Sequence, residues 1–156
     1  PGATMWDIGC GSGAIAIDFL RNAPRGNAHA IDRDPAQLKL AKRNAAACGV
    51  PHLQLHQVEL PDGLGELPQP DAIFIGGGLS EALVEQCQAA LPMGGILVVH
   101  CVTIESEATL TVQWQRTGGD LIRLAVHHAD PIGGFHGWRP LMPLTQWHWV
   151  KQQGRR

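Results

Sequence analysis

A doubly wound α/β domain is what this chain of 156 residues predicts: a seven-stranded, mostly parallel sheet, helices on both faces and an antiparallel last strand. Three observations carry the prediction. Short apolar runs alternate with segments of helical period up to residue 117, the pattern of a parallel sheet covered on both faces. Three glycines at alternate positions join the first apolar run to the first helical one. Two late strands lack an intervening helix, so the final one is expected to pair antiparallel. No repeat or linker divides the chain, and residues 1–156 read as a single domain.

The elements follow in order. Residues 3–8 form a short buried strand that ends in Trp6-Asp7-Ile8. Gly9, Gly11 and Gly13 then turn the backbone with no Cβ between main chain and ligand. The helix over residues 13–22 is apolar nearly all round and is expected to be buried; Pro24 and Gly26 end it. Residues 28–31 make the second strand, closed by Asp32. Asp34 as N-cap and Pro35 at the first helical position open the next helix. Its Leu38, Ala41, Ala45 and Cys48 share one face, and Gly49 stops it. Alternation over residues 53–58 marks a third strand. A proline- and glycine-rich loop over 61–70 leads to a compact strand at 72–75, which runs into Gly76-Gly77-Gly78. Ser80 caps a helix with Leu83, Cys87, Ala90 and Leu91 inside, and a turn over 92–95 precedes the strand at 96–102. Ile104, Ala108 and Val112 mark one side of the last helix, which Gly118-Gly119 ends. Residues 121–126 form a sixth strand, 132–137 a glycine-rich stretch, and 145–151 a seventh strand.

Composition excludes several classes. Twelve Lys and Arg against fourteen Asp and Glu leave a formal charge of −2, without the basic patch of a nucleic-acid binder. Arg155 and Arg156 read as a solvated tail. No apolar stretch approaches the roughly 20 residues a membrane helix needs. Cys10, Cys48, Cys87 and Cys101 are scattered without a C-x-x-C, as small reduced hydrophobes of a cytoplasmic protein. No metal is expected among the eight histidines. Adjacent His127 and His128 would point to opposite faces of a strand. His136 and His148 lack a partner at zinc spacing, and His100 sits among apolar neighbours as a core histidine. A chain that begins at Pro1 is expected to be excised from a longer one.

Asp7, two positions before Gly9, separates two readings of the glycine turn. Gly9, Gly11 and Ala14 also satisfy the loose dinucleotide fingerprint. A carboxylate at the strand tip repels a pyrophosphate; it suits S-adenosylmethionine, which brings an ammonium and a sulfonium and no phosphate. The spacing of Asp7, Gly9, Gly11 and Gly13 resembles motif I of the Rossmann-like class I S-adenosylmethionine-dependent methyltransferases. The plainer alternative is that Asp7 caps the turn. Asp32, 23 positions after Gly9, is expected to accept hydrogen bonds from both ribose hydroxyls, since Asp34 already serves as the helix cap. The expected cofactor pocket therefore comprises Asp7, Gly9, Cys10, Gly11, Ser12, Gly13, Asp32, Arg33, Glu59, Leu60 and Gly76. Glu59 would meet either the adenine amino group or a nearby loop. Gly77 and Gly78 leave room for a methyl donor and a flat acceptor. Trp138 and Arg139, in an aromatic and proline-rich loop over 134–143, are the candidate acceptor wall; a surface loop packing its own aromatics is the alternative. No side chain is assigned as catalytic.

Two longer stretches are more selective. They are Pro70-Asp71-Ala72-Ile73-Phe74-Ile75-Gly76-Gly77-Gly78, and Trp138-Arg139-Pro140 followed by Pro143-Leu144-Thr145-Gln146-Trp147. With motif I they resemble the decarboxylating C15-methyltransferases of cobalamin biosynthesis, and more narrowly the C-terminal domain of bifunctional precorrin-6Y C5,15-methyltransferases. The resemblance covers essentially the whole chain. It departs in two places. Val58-Glu59-Leu60-Pro61 stands where the family more often has Gly-x-Ala-Pro, and the chain starts after the family's upstream helical segment, with its Thr-Lys-x-Glu-x-Arg-like pattern. The resemblance implies methyl transfer from S-adenosylmethionine to C15 of a corrin precursor, with S-adenosylhomocysteine as product and loss of carbon dioxide from the ring C acetate. It also implies a tetrapyrrole substrate, a covalently linked N-terminal methyltransferase domain and a homo-oligomer. Arg139 would hold an acceptor carboxylate. Without the upstream segment, cofactor binding is expected but turnover should be weak or absent. Two other classes stay open: an NAD-dependent oxidoreductase, with a pyrophosphate over Gly11, and a catalytically silent scaffold module of the same fold.

Overall fold

The computed structural model describes residues 2–152; Pro1 and the Arg155–Arg156 tail lie outside the described residues. The strands are β1 (Thr4–Ile8), β2 (Asn27–Asp32), β3 (Gln54–Gln57), β4 (Ala72–Ile75), β5 (Ile96–Cys101), β6 (Asp120–Leu124), β7 (His127–Ile132), β8 (Phe135–Pro140) and β9 (Leu144–Val150). The helices are α1 (Ala14–Asn22), α2 (Pro35–Ala47), α3 (Glu81–Ala90) and α4 (Ile104–Thr117). Seven strands form one sheet in the order β3-β2-β1-β4-β5-β9-β6, and β7 and β8 pair separately. β1 to β5 are parallel, whereas β9 runs antiparallel between β5 and β6. The order reverses between β1 and β4, which makes their carboxyl ends the switch point of the sheet.

Period-two alternation sends successive strand residues to two cores. Trp6, Ile8, Ile73, Leu97, Val99 and Trp147 pack beneath α3 and α4, with Leu83, Cys87 and Leu110. Ala28, Ala30 and Leu53 pack beneath α1 and α2, with Ile17, Leu20 and Leu38. The local start signals act as their chemistry requires. Asp34 accepts from the Ala36 N–H at 2.8 Å, with Pro35 opening α2, and Ser80 accepts from the Leu83 N–H at 3.2 Å.

Several expectations are corrected. α1 is not buried all round: Ala16, Ile17 and Leu20 face the core while Ala14, Ile15 and Asp18 face outwards. On α2, Leu38, Ala41 and Ala45 are buried, but Cys48 lies past the helix end and is exposed. α4 is rotated from its apolar stripe. Ile104, Ala108 and Val112 are exposed, and Leu110 and Gln113 are the buried residues. Polar contacts to α3 set that rotation: Gln113 and Arg116 both donate to Glu81, at 3.4 and 2.6 Å. The glycine-rich stretch at 132–137 is no loop. Gly133-Gly134 is the two-residue turn of a hairpin in which Ile132 faces Phe135, and Gly133 has φ 58°. The expected sixth and seventh strands are β6 and β9; among the described residues there are nine strands, seven of them in the main sheet. His100 is half-buried rather than deep in the core, paired with Gln146 Oε1 at 2.7 Å and edge-on to Phe74.

Candidate functional site

At the switch point the strand tips leave a crevice of ≈ 360 Å³, lined by Gly9, Asp32, Arg33, Glu59, Leu60, Gly77 and Gly78. Its floor is the turn after β1. The Gly9 and Cys10 N–H groups both donate to Ile31 O, at 2.9 and 3.1 Å, and the Gly13 N–H donates to Cys10 O at 2.8 Å. Gly9, Gly11 and Gly13 have φ of 68°, 50° and 77°, a region that side chains rarely adopt. Their roles differ. A Cβ on Gly9 would lie 2.7 Å from the Gly77 amide, and one on Gly13 would lie 2.9 Å from Ala41 Cβ. Those two glycines let β1 approach the β4 loop and α1 approach α2. Above Gly11 the nearest atom is Gln37 Oε1 at 3.8 Å. That glycine leaves an open cradle.

Two carboxylates flank the cradle. Asp32 accepts from the Gly11 N–H at 3.1 Å and from the Asp34 N–H at 3.0 Å, one bond on each oxygen. A carboxylate oxygen can accept a second bond, so Asp32 retains capacity for a diol in the crevice. Asp7 is fully buried. Its Oδ2 accepts from the Ala16 N–H at 3.0 Å, and its Oδ1 has no partner. Burial raises the Asp7 carboxyl to about 6; the Ala16 bond opposes this, and the charge of Asp32 adds to it. Cys10 is pushed up to about 12 by burial and then by Asp7 and Asp32. The turn is thus a dry site of negative potential, and it suits a ligand that brings positive charge and a diol but no phosphate. Asp7 lies beneath the turn rather than at an exposed strand tip. It both caps α1, as the plainer reading held, and keeps one oxygen unpaired.

The crevice brings together five of the expected cofactor residues, Gly9, Asp32, Arg33, Glu59 and Leu60, with Gly77 and Gly78 from the expected acceptor side. The others stand behind or beside it. Cys10 and Gly13 are buried, Gly11 forms the cradle, Gly76 is exposed next to the crevice, and Ser12 gives its carbonyl to Asn44 Nδ2 at 3.0 Å. Trp138 and Arg139 are not on the crevice wall. They lie on β8, where Trp138 is 74% exposed and Arg139 Nε pairs with Asp130 at 2.7 Å. Their hairpin leaves the same carboxyl edge of the sheet: β6 runs parallel to β5, ends at Leu124, and faces Leu144 where β9 begins. Sequence reasoning missed Gln37 and Asn44, helix residues that face the turn only because α2 packs on α1. Among the described residues, no group of three or more His, Cys, Asp or Glu converges as a metal site.

Switch-point crevice, glycine turn and acid after β2 define a Rossmann-like fold of the class I methyltransferase type. Solved structures agree. The C-terminal domain of precorrin-6Y C5,15-methyltransferase from Rhodobacter capsulatus superposes with a TM-score of 0.89 at 34% identity, over 96% of this chain and 81% of that one. The targeted domain of a Corynebacterium diphtheriae protein described as a precorrin-6Y C5,15-methyltransferase gives 0.86 at 35% identity, over 96% and 87%. The chain belongs to the precorrin methyltransferase domain family, whose model matches residues 1–151. A decarboxylating precorrin-6Y C(5,15)-methyltransferase of Sinorhizobium sp is 47% identical over 151 residues, 96% of this chain. Its counterpart in Mycobacterium tuberculosis is 42% identical over 153 residues. The chain spans 37% and 39% of the length of these two relatives.

Proposed function

We propose that this domain binds S-adenosylmethionine in the switch-point crevice and methylates C15 of a corrin precursor, with decarboxylation of the ring C acetate. The observation that carries the reading is the pairing of an open cradle over Gly11 with Asp32 on the crevice wall and the unpaired, buried oxygen of Asp7. S-adenosylmethionine, when bound, supplies an electrophilic methyl group; the protein's residues do the rest. Asp32 accepts the ribose hydroxyls, and Asp7 and Asp32 together oppose the positive charges of the ammonium and the sulfonium. Glu59 and Leu60 enclose the adenine side of the crevice. Cys10, Ser12, Gly13 and Gly76 shape it from behind and beside. Gly77 and Gly78 hold the β4 loop low enough for a flat acceptor to approach.

The acceptor carries carboxylates, and Arg139, on the hairpin at the same sheet edge, meets one of them by exchanging its exposed partner Asp130, with Trp138 stacking alongside. Loss of carbon dioxide leaves an electron-rich conjugated system that needs positioning and exclusion of water more than an acid or base. We place this domain beside a second methyltransferase domain in one cytoplasmic chain, because the relatives' names state methylation at two positions.

Calorimetry with S-adenosylhomocysteine, followed by an assay with the corrin precursor, tests the reading. Binding at one site per chain and methylated, decarboxylated product are expected. Binding without turnover, in a chain extended to include the family's upstream segment, would leave a scaffold module. Binding of NAD in place of S-adenosylhomocysteine would end the proposal.

A further inference from the structure

The β7–β8 hairpin stands almost alone. Its strands pack on each other and make at most marginal contact with any other element. Beyond the sheet, the Leu141 N–H donates to Val126 O at 2.8 Å across its base. A lever held so sparsely takes its angle from its root. That root is the last stretch of β6 and the first of β9, where Arg123 faces Thr145 and Leu124 faces Leu144.

A closed polar ring joins this root to the first turn of α4. Thr145, 4% exposed, donates its hydroxyl to Glu107 Oε2 at 2.7 Å. Arg123 Nη2 donates to Glu107 Oε1, and Arg123 Nε donates to Thr145 Oγ1 at 3.3 Å. Both carboxylate oxygens of Glu107 are thereby engaged, by β9 and by β6 respectively. Thr145 also faces Cys101, the last residue of β5, so the ring sits on the carboxyl edge that carries the crevice. Thr145's hydroxyl, and then Arg123's guanidinium, hold the Glu107 carboxyl below its ordinary range, which keeps it a permanent acceptor. A lone exposed ion pair would do little; here one carboxylate ties the first turn of α4 to both ladder-paired strands at the hairpin's root.

We propose that Glu107, through Arg123 and Thr145, is a positioning residue for the acceptor: it sets the angle at which the hairpin leaves the carboxyl edge of the sheet, the edge that carries the crevice. The inference rests on the proposed function for its consequence in catalysis, but not for its structural half. Spin labels on exposed Cys48 and on Gly134→Cys, at the hairpin tip, report the angle directly as a distance distribution. Glu107→Gln and Thr145→Val should broaden or shift that distribution, and Thr145→Ser, which keeps the hydroxyl, should restore it. In the assay, Glu107→Gln should raise the acceptor KM or lower kcat about tenfold, the scale of a small misplacement, while S-adenosylhomocysteine affinity stays unchanged. An unaltered distance distribution in both Glu107→Gln and Thr145→Val overturns the proposal, as does an equal loss of S-adenosylhomocysteine affinity. Should Glu107→Gln fail to fold, the Thr145→Val and Thr145→Ser pair decides alone. A wild-type protein that binds no S-adenosylhomocysteine would sink the proposed function, and the label distances would still judge the clamp.

Discussion

Two structures share the carboxyl edge of the sheet, and they are built in opposite ways. The turn after β1 rests on a buried carboxylate and is assembled from nearby chain: Asp7 reaches Ala16 nine residues on, and Asp32 reaches Gly11 from 21 residues away. The hairpin is wet, projecting and anchored from afar, with Thr145 meeting Glu107 across 38 residues. In the first region the identity of single residues decides the geometry, because a glycine at positive φ with main chain packed against it admits no side chain. In the second the fold holds an exposed surface in place, and most of its side chains face solvent. The lesson is a division of labour. The rigid, locally encoded half suits an invariant cofactor, and the exposed half suits a large acceptor.

Comparing two tryptophans is the strongest way to break that division. Trp147 of β9 is fully buried and donates to Gly118 O at 2.8 Å, whereas Trp138 of β8 is 74% exposed. Trp147→Ala should cost about 3–5 kcal/mol in urea unfolding, and Trp138→Ala less than about 0.5 kcal/mol. Similar losses would mean that the hairpin is part of the core after all.

Next comes the crevice. Asp32→Ala should weaken S-adenosylhomocysteine binding by about 1–3 kcal/mol in calorimetry, the scale for leaving hydrogen-bonding groups unpaired. Unchanged affinity removes Asp32 from the site.

The dryness of the turn has a pH signature. Asp7 titrates at about 6 in the folded chain against an ordinary 3.8, so the folded state holds this proton more tightly than the unfolded one. Its contribution to stability is therefore greatest below the ordinary value and is lost as pH rises towards 6. Asp7→Asn keeps an acceptor for the Ala16 N–H and abolishes the titration. The stability of the variant relative to the parent should improve by about 1–2 kcal/mol between pH 5 and pH 7.5. A pH-independent difference would show that Asp7 is not desolvated. His29 and His56, paired at 2.9 Å on β2 and β3, act in the other direction in both proteins. Burial lowers both, and His56 further lowers His29. Their stabilising contribution is complete above the ordinary histidine value and is lost as pH falls below it.

The smallest effect on binding is expected at Arg139. Its pair with Asp130 is largely exposed and worth at most about 1 kcal/mol. Arg139→Ala should leave stability and S-adenosylhomocysteine affinity within about 0.5 kcal/mol and show itself only as a raised acceptor KM. Damage to cofactor affinity would join the two regions that the structure keeps apart.

Most of the crevice was legible because its signals are contiguous. Three alternating glycines and an Asp-Pro helix start each act within a few residues of themselves, and the acid at the end of β2 is marked by its place at a strand end. Asp7 was legible as a position but not as an environment, since its burial depends on α1 closing over β1. The hairpin was misread as a loop, although Gly133-Gly134 is a recognised hairpin turn, because exposed strands lack the alternation that marks a half-buried one.

What the sequence determines by itself is whatever is closed by short-range geometry: turns that need positive φ, helix caps, and the alternation of strand and helix that leads to a parallel sheet. Tertiary structure alone decided the remainder. It inserted β9 between β5 and β6 and turned α4 so that Gln113, not Val112, faces inwards. It also brought the Lys151 ammonium to the Gln88, Ala89 and Leu91 carbonyls at the end of α3, about 60 residues away, at 2.8, 3.1 and 2.7 Å. The reason is physical. A helix end accepts any cation that reaches its free carbonyls, and an apolar stripe fits any core of suitable shape, so local pattern leaves these choices degenerate until the packed chain selects one.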